Sequence, residues 1–106
     1  MNVNVEPKLY TGVQETFTRV ITEGEVALFA GLVGDNHPHS RSGAVDDSVM
    51  SGRTTVQSAY LVGVINGLLN TRLPGESSRC ITMNFEFLAP VYCGDRVDLV
   101  IELTDV

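Results

Sequence analysis

The longest apolar stretch of the chain runs from Val56 to Leu69. Apolar side chains lie all around the predicted helix, which extends from about Thr54 to Asn70 and has almost no polar face. A helix of this kind has to be buried on nearly all sides. Gly63 and Gly67 lie on one side of it and would allow a sheet or another helix to approach closely. The stretch is too short to cross a bilayer.

Two later segments alternate between apolar and polar residues, the period that is typical of a β-strand with one buried face. The first runs from Ile81 to Phe87 and the second from Val97 to Leu103. Pro90 ends regular pairing after the first segment, and Cys93-Gly94-Asp95 forms a turn before the second. An apolar helix followed by one-sided strands predicts an α+β fold, in which a curved antiparallel sheet wraps around the helix.

The first third of the chain predicts a strand followed by a short helix. Residues Gly12 to Ile21 are rich in strand-forming side chains. Thr22 and Glu25 have the spacing of a capping box, in which each satisfies a backbone amide at the start of a helix. Gly34 stands where a left-handed residue would end that helix, and Asp35 follows it directly.

Composition and charge narrow the functional classes. The chain has 106 residues, enough for one domain, and 43% of them are hydrophobic. Its net charge of -6 and its scattered Lys and Arg residues disfavour nucleic-acid binding. The N-terminus lacks the basic and apolar regions of a secretory signal. Cys80 and Cys93 are expected to be buried thiols in a reducing compartment, with the cytoplasm as the expected location.

Four segments, in order along the chain, resemble the MaoC-like family of (R)-specific enoyl-thioester hydratases. Phe29 to Asp35, with Pro38, is similar to the family signature F-A-x-x-x-G-D-x-N-P-x-H. Arg53 to Ser58 stands where the family carries R-P-x-V-H-G. Leu73-Pro74-Gly75 matches the loop after the central helix, and Phe87 to Val97 resembles F-x-x-P-V-x-x-G-D-x-V.

The resemblance implies a hot-dog fold and the addition of water to an enoyl thioester. In this family an Asp and a His five positions later transfer the protons. Backbone N–H groups at the start of the central helix stabilise the negative charge on the thioester oxygen. The acyl chain lies along the groove between sheet and helix, and the CoA part usually crosses a dimer interface. CoA or an acyl carrier enters as substrate, and neither a cofactor nor a metal is implied.

Carried over to this chain, Asp35 occupies the position of the catalytic carboxylate. Five positions later the chain has Ser40 in place of the expected His, and His37 and His39 lie before it. In one interpretation the loop shifts locally and His39 acts with Asp35, since an imidazole transfers protons near neutral pH. In the other, Ser40 replaces the base and the site is disabled or repurposed, because a hydroxyl needs a base of its own.

At the start of the central helix, Gln57-Ser58 replaces the His-Gly of the family. Ser58 would contribute through its backbone N–H, which any residue except proline provides. Gln57 either holds a water or a carbonyl or is an ordinary polar residue at a helix start. Together with Ser40 and His37, these two residues form the predicted substrate-binding set, beside the predicted catalytic pair Asp35 and His39.

The resemblance also bears on the extent of the chain, which is predicted to be a single hot-dog domain over residues 1–106. Family members usually continue with two strands that fill the middle of the sheet, so the chain is expected to be incomplete at its C-terminus or completed by another chain. A homodimer or a hetero-oligomer of hot-dog subunits is expected.

Three functions stay open on the sequence. The first is a hydratase or dehydratase that interconverts trans-2-enoyl and (R)-3-hydroxyacyl thioesters. The second is a non-catalytic subunit that binds the acyl group in a heteromeric dehydratase, which the altered residues Ser40, Gln57 and Ser58 favour. The third is an acyl-CoA thioesterase, which is weakened because Val56 to Leu69 contains no Asp or Glu.

Overall fold

The computed structural model describes residues 9–35 and 53–106. They form four elements in the order strand, helix, helix, strand. The elements are β1 (Gln14–Val20), α1 (Glu23–Val33), α2 (Ser58–Thr71) and β2 (Arg96–Glu102). The predicted α+β arrangement is therefore present, and the apolar helix of the sequence is α2.

The two strands form an antiparallel sheet in which Phe17 is paired with Leu99. Beyond the strand ends, the amide of Leu103 still donates to the carbonyl of Val13 at 3.0 Å. The predicted turn before β2 is confirmed: the Asp95 amide donates to the Tyr92 carbonyl at 3.0 Å. Its glycine has a φ of 90°, a conformation that side chains with a Cβ rarely adopt.

Helix α1 has the capping predicted from its sequence. The Thr22 hydroxyl accepts from the Glu25 amide at 3.2 Å, and the Glu25 carboxylate accepts from the Thr22 amide at 2.8 Å. At the other end, Gly34 adopts the left-handed conformation, with φ 73° and ψ 26°. The hydrogen bonds that define both ends of α1 are thus encoded within the helix and its flanking residues.

The core is formed by Ile21, Val26 and Val56, which join the end of β1, the start of α1 and the residue just before α2. Cys93 packs against this cluster, and burial raises the pKa of its thiol. Cys80 is exposed, so the prediction that both cysteines are buried is wrong for Cys80. It lies outside the core because the chain leaves the core after the Leu73-Pro74-Gly75 loop.

Helix α2 is less covered than its sequence predicts, since none of its residues is fully buried. The prediction of burial on nearly all sides is therefore wrong for the part of the chain that the structure describes. A groove of about 600 Å³ separates the glycine-bearing side of α2 from the sheet. A Cβ added at Gly63 or Gly67 would meet nothing within 4 Å, so these glycines mediate no close approach.

The predicted strand from Ile81 to Phe87 is not part of a sheet. All residues of this segment are exposed, although the rings of Phe85 and Phe87 stack with centroids 6.1 Å apart. The alternation thus still places Phe85 and Phe87 on one side. A strand also needs a neighbour for its backbone hydrogen bonds, and in the described residues β1 and β2 pair only with each other.

No helix within residues 9–35 and 53–106 is long and apolar enough to cross a membrane. The same residues contain no cluster of three His, Cys, Asp or Glu side chains that could hold a metal ion.

Candidate functional site at the start of helix α2

The segment that leads into α2 is attached to the segment that leads into β2. The Val56 amide donates to the Val91 carbonyl at 2.8 Å. Arg53 forms an ion pair with Asp95 and lies over the Tyr92 ring, 4.6 Å from its centroid. The Tyr92 amide and the Arg53 guanidinium both bond to the Asp95 carboxylate and lower its pKa. These contacts fix the point at which α2 begins.

The peptide between Gln57 and Ser58 places the Ser58 N–H at the N-terminal end of α2. Gln57 precedes the helix in an extended conformation, and its carbonyl accepts from the amides of Tyr60 at 3.0 Å and Leu61 at 3.2 Å. Because the peptide is planar and trans, the Ser58 N–H points away from the helix body. Ser58 is exposed, and no carbonyl in the described part of the chain accepts from its amide. With no acidic residue in the first turn, this helix end favours an anionic oxygen.

The Gln57 side chain is buried, with 8% of its surface exposed. Its Nε2 donates to the Val26 carbonyl in α1 at 2.9 Å, while its buried Oε1 accepts no hydrogen bond from the part of the chain that the structure describes. It does not cap α2. The structure therefore places this predicted substrate-binding side chain between the two helices and not at the protein surface.

A second polar link between the helices centres on Glu25. Its carboxylate accepts from the Tyr60 hydroxyl at 2.7 Å and forms an ion pair with Arg19 at the end of β1. Burial opposes ionisation of Glu25, but the hydrogen bonds from Tyr60, Thr22 and Arg19 outweigh it and lower the pKa to about 2. The Tyr60 ring also packs on Phe29, with centroids 5.3 Å apart. The sequence assigned Glu25 to the capping box alone and gave no signal of these longer links.

Asp35 lies at the opposite end of α1 from these contacts. It follows the left-handed Gly34, its amide donates to the Ala30 carbonyl at 3.0 Å, and it is partly buried. At 1.5 Å per residue, the last residue of α1, Val33, is about 10 Å along the helix axis from Val26, and Asp35 follows beyond it. Helix α1 therefore connects the start of α2 to the predicted catalytic carboxylate.

Three other predicted site residues, His37, His39 and Ser40, lie outside the residues that the structure describes. Whether His39 or Ser40 acts with Asp35 stays a prediction.

The groove expected for an acyl chain is present between α2 and the sheet. Its walls include the apolar side chains of Phe17 and Leu99 from the strands and of Val64 and Leu68 from the helix. Apolar walls of this kind favour apolar groups through non-directional contacts.

Comparison with known proteins places this geometry in context. No family model matches the chain. It is 31% identical to a 3-hydroxybutyryl-CoA dehydratase of Methylorubrum extorquens over 98 residues, which cover 92% of this chain and 62% of that protein. It is 30% identical to an (R)-specific enoyl-CoA hydratase of Aeromonas caviae over 96 residues, covering 91% of this chain and 72% of that protein.

The structure is similar to that of the (R)-hydratase from A. caviae involved in PHA biosynthesis. The TM-score is 0.79 at 30% sequence identity, and the match covers 89% of this chain and 71% of the A. caviae chain. This chain thus spans less than two thirds of the Methylorubrum relative and somewhat more of the Aeromonas protein.

Proposed function

The chain belongs to the family of (R)-specific enoyl-CoA hydratases, and we propose that it acts in the reversible hydration of trans-2-enoyl thioesters to (R)-3-hydroxyacyl thioesters. Family membership and the α+β hot-dog class confirm what the sequence resemblance implied. The names of the relatives include both directions of the reaction, hydratase and dehydratase. They favour this activity over an acyl-binding subunit and over a thioesterase.

The observation that carries the proposal is the exposed Ser58 amide at the start of α2. When water adds to the β-carbon of an enoyl thioester, the thioester oxygen gains negative charge. An N–H donor that is already oriented, at the positive end of a helix, stabilises this charge without reorganisation. The replacement of Gly by Ser at position 58 retains the N–H donor.

Proton transfer is assigned to Asp35 together with His39. One group removes a proton from the attacking water, and a proton is delivered to the α-carbon. His37 and Ser40 complete the substrate-binding set as neighbours of this pair. In the alternative, Ser40 occupies the position of the base and the chain is inactive by itself.

The substrate is a thioester of CoA or of an acyl carrier, with its acyl chain in the groove beside α2. Addition of water to a conjugated thioester changes no oxidation state overall, so the proposed reaction needs no redox cofactor, and we propose that it uses none. We further propose a cytoplasmic protein that acts as a homodimer or hetero-oligomer of hot-dog subunits, with residues 1–106 in one domain.

The Ser58 amide can be tested with two variants that both lack the Ser58 hydroxyl and differ in whether they keep the backbone N–H. Proline is well tolerated at the first position of a helix, and Gln57 already has the extended backbone that precedes proline. Ser58→Pro removes the N–H, whereas Ser58→Ala retains it. In a hydration assay with a short enoyl-CoA, we expect Ser58→Pro to lower kcat about 100-fold or more relative to Ser58→Ala. Equal rates for the two variants would contradict the proposal.

A further inference from the structure

We propose that Gln57 is a positioning residue, which holds the Ser58 amide in its productive orientation through the hydrogen bond of its side chain to the Val26 carbonyl. This inference rests on the proposed function, because it gives the Ser58 amide its role. It assigns Gln57 to orientation of the helix start and not to contact with the substrate.

Gln57 does not perform the usual task of a residue just before a helix. Side chains just before a helix normally accept from an amide of the first turn. The Gln57 side chain makes no such bond and instead reaches α1, where its Nε2 lies 2.9 Å from the Val26 carbonyl.

The hydrogen bond from Gln57 to the Val26 carbonyl contributes little to the stability of the fold. Val26 lies inside α1, so its carbonyl also accepts from the helix ladder. The buried Gln57 Oε1 has no hydrogen-bond donor among residues 9–35 and 53–106, which is unfavourable. An apolar side chain of similar size would remove this unpaired acceptor and would leave the Val26 carbonyl satisfied. We therefore infer that the contribution of Gln57 is to orient the backbone at the start of α2.

The peptide between Gln57 and Ser58 links the side-chain bond of Gln57 to the orientation of the Ser58 N–H. One torsion angle, ψ of Gln57, orients the carbonyl of Gln57 and the N–H of Ser58 together, because the peptide is planar. First-turn amides hold that carbonyl from one side, and the bond to buried Val26 holds the side chain from the other. The N–H is thereby fixed relative to α1, the helix that ends next to Asp35.

The test compares Gln57→Met with Thr22→Ala, which removes the cap of α1 without touching Gln57 or the proposed site. For Gln57→Met we expect kcat to fall about 10- to 100-fold, as for a small misplacement of a catalytic group, with KM changed less than about twofold. Its melting temperature should stay close to that of the unmodified chain. Thr22→Ala should show the reverse: a lower melting temperature and kcat within about twofold of the unmodified chain. Unchanged kcat in Gln57→Met would overturn the inference.

Gln57→Glu adds a pH readout that a purely structural role would not produce. As a neutral acid, the new side chain has an O–H that can donate to Val26 in place of Nε2. Once ionised, it has only acceptors and brings negative charge next to the Ser58 amide. The ratio of its kcat to that of the unmodified chain should fall as the pH rises through the pKa of the new carboxyl. A ratio independent of pH would count against positioning by a donated hydrogen bond.

A measurement independent of turnover separates this inference from the proposed function. By ¹⁵N relaxation, the Ser58 N–H should have an order parameter of about 0.85 in the unmodified chain and a clearly lower value in Gln57→Met. If hydration is absent while this loss of order is seen, the proposed function fails and the positioning stands. If hydration is present and the order parameter is unchanged, the positioning fails alone.

Discussion

The two ends of helix α1 are built differently. At its N-terminal end, a capping box closes the helix, and the Glu25 contacts with Arg19 and Tyr60 join it to β1 and α2. At its C-terminal end, a left-handed glycine stops the helix and Asp35 follows. The first end holds the core together, and the second presents the carboxylate to which the chemistry is assigned. Substitutions at the two ends should therefore affect different properties.

The largest effect is expected from Asp35→Asn, which removes the proposed proton-transfer group and retains its shape. Turnover of a short enoyl-CoA should fall about 100- to 10,000-fold, the usual contribution of a general acid or base. The melting temperature should change little, because the substitution leaves the cap of α1 in place. If Asp35→Asn retains full activity, the C-terminal end of α1 does not supply the proton-transfer group.

The next largest effect distinguishes the two interpretations of the loop after Asp35. If His39 is the partner of Asp35, His39→Ala should lower kcat about 100-fold or more. Ser40→Ala should affect KM and leave kcat nearly unchanged, and His37→Ala is the matched control for kcat. If Ser40 instead occupies the position of the base, the unmodified chain should show no hydration by itself, and equal kcat of all three variants would contradict the pairing of Asp35 with His39.

At the opposite end of α1, Glu25→Gln should lower the stability by about 1–3 kcal/mol, as expected when charged hydrogen bonds are weakened. Turnover should stay within about twofold of the unmodified chain. The pKa of Glu25 is about 2 in the folded protein, below its ordinary value of 4.5. Its stabilisation is therefore present above pH 4.5 and is lost as the pH falls towards 2. Urea melts across this range should show a weaker pH dependence for Glu25→Gln; identical pH dependence would contradict the role of the carboxylate.

The smallest effects are expected from two glycines, Gly31 within α1 and Gly34 at its C-terminal cap, of which only Gly34 has a left-handed backbone. Gly34→Ala places a Cβ at a φ of 73° and should destabilise the chain by about 1–2 kcal/mol. Gly31 lies within the helix, and a Cβ added there would meet nothing within 4 Å. Gly31→Ala should therefore stabilise the chain by about 0.5–1 kcal/mol. Thermal melts of the two variants in opposite directions would confirm that only the C-terminal glycine is conformationally required.

The two alternating segments show which parts of the fold could be predicted from the sequence. Both have equally clean patterns, yet Val97 to Leu103 contributes β2 and Ile81 to Phe87 forms no sheet. Alternation specifies which side chains share a face, and it carries no information about the neighbouring strand. For the same reason the apolar pattern of α2 predicted its helical state correctly but overestimated its burial.

The candidate site was predictable where the signal was local. The capping box, the ends of α1 and the position of Ser58 at the start of α2 follow from short-range spacing and from the family resemblance. The links from Glu25 to Tyr60 and from Val26 to Gln57 join residues far apart in sequence. Such pairs depend on how the helices dock, which a single sequence does not encode in any local pattern.

The exposed stretch that follows the Leu73-Pro74-Gly75 loop has a consequence for the behaviour of the chain in solution. Outside a β-ladder, its peptide groups face water, whereas those between β1 and β2 bond to each other. Deuterium should therefore enter the backbone near Phe85 long before it enters near Leu99. Among the Arg residues that the structure describes, trypsin should cleave after Arg79, at the entrance to this stretch, before it cleaves after Arg19 or Arg96 in the paired strands.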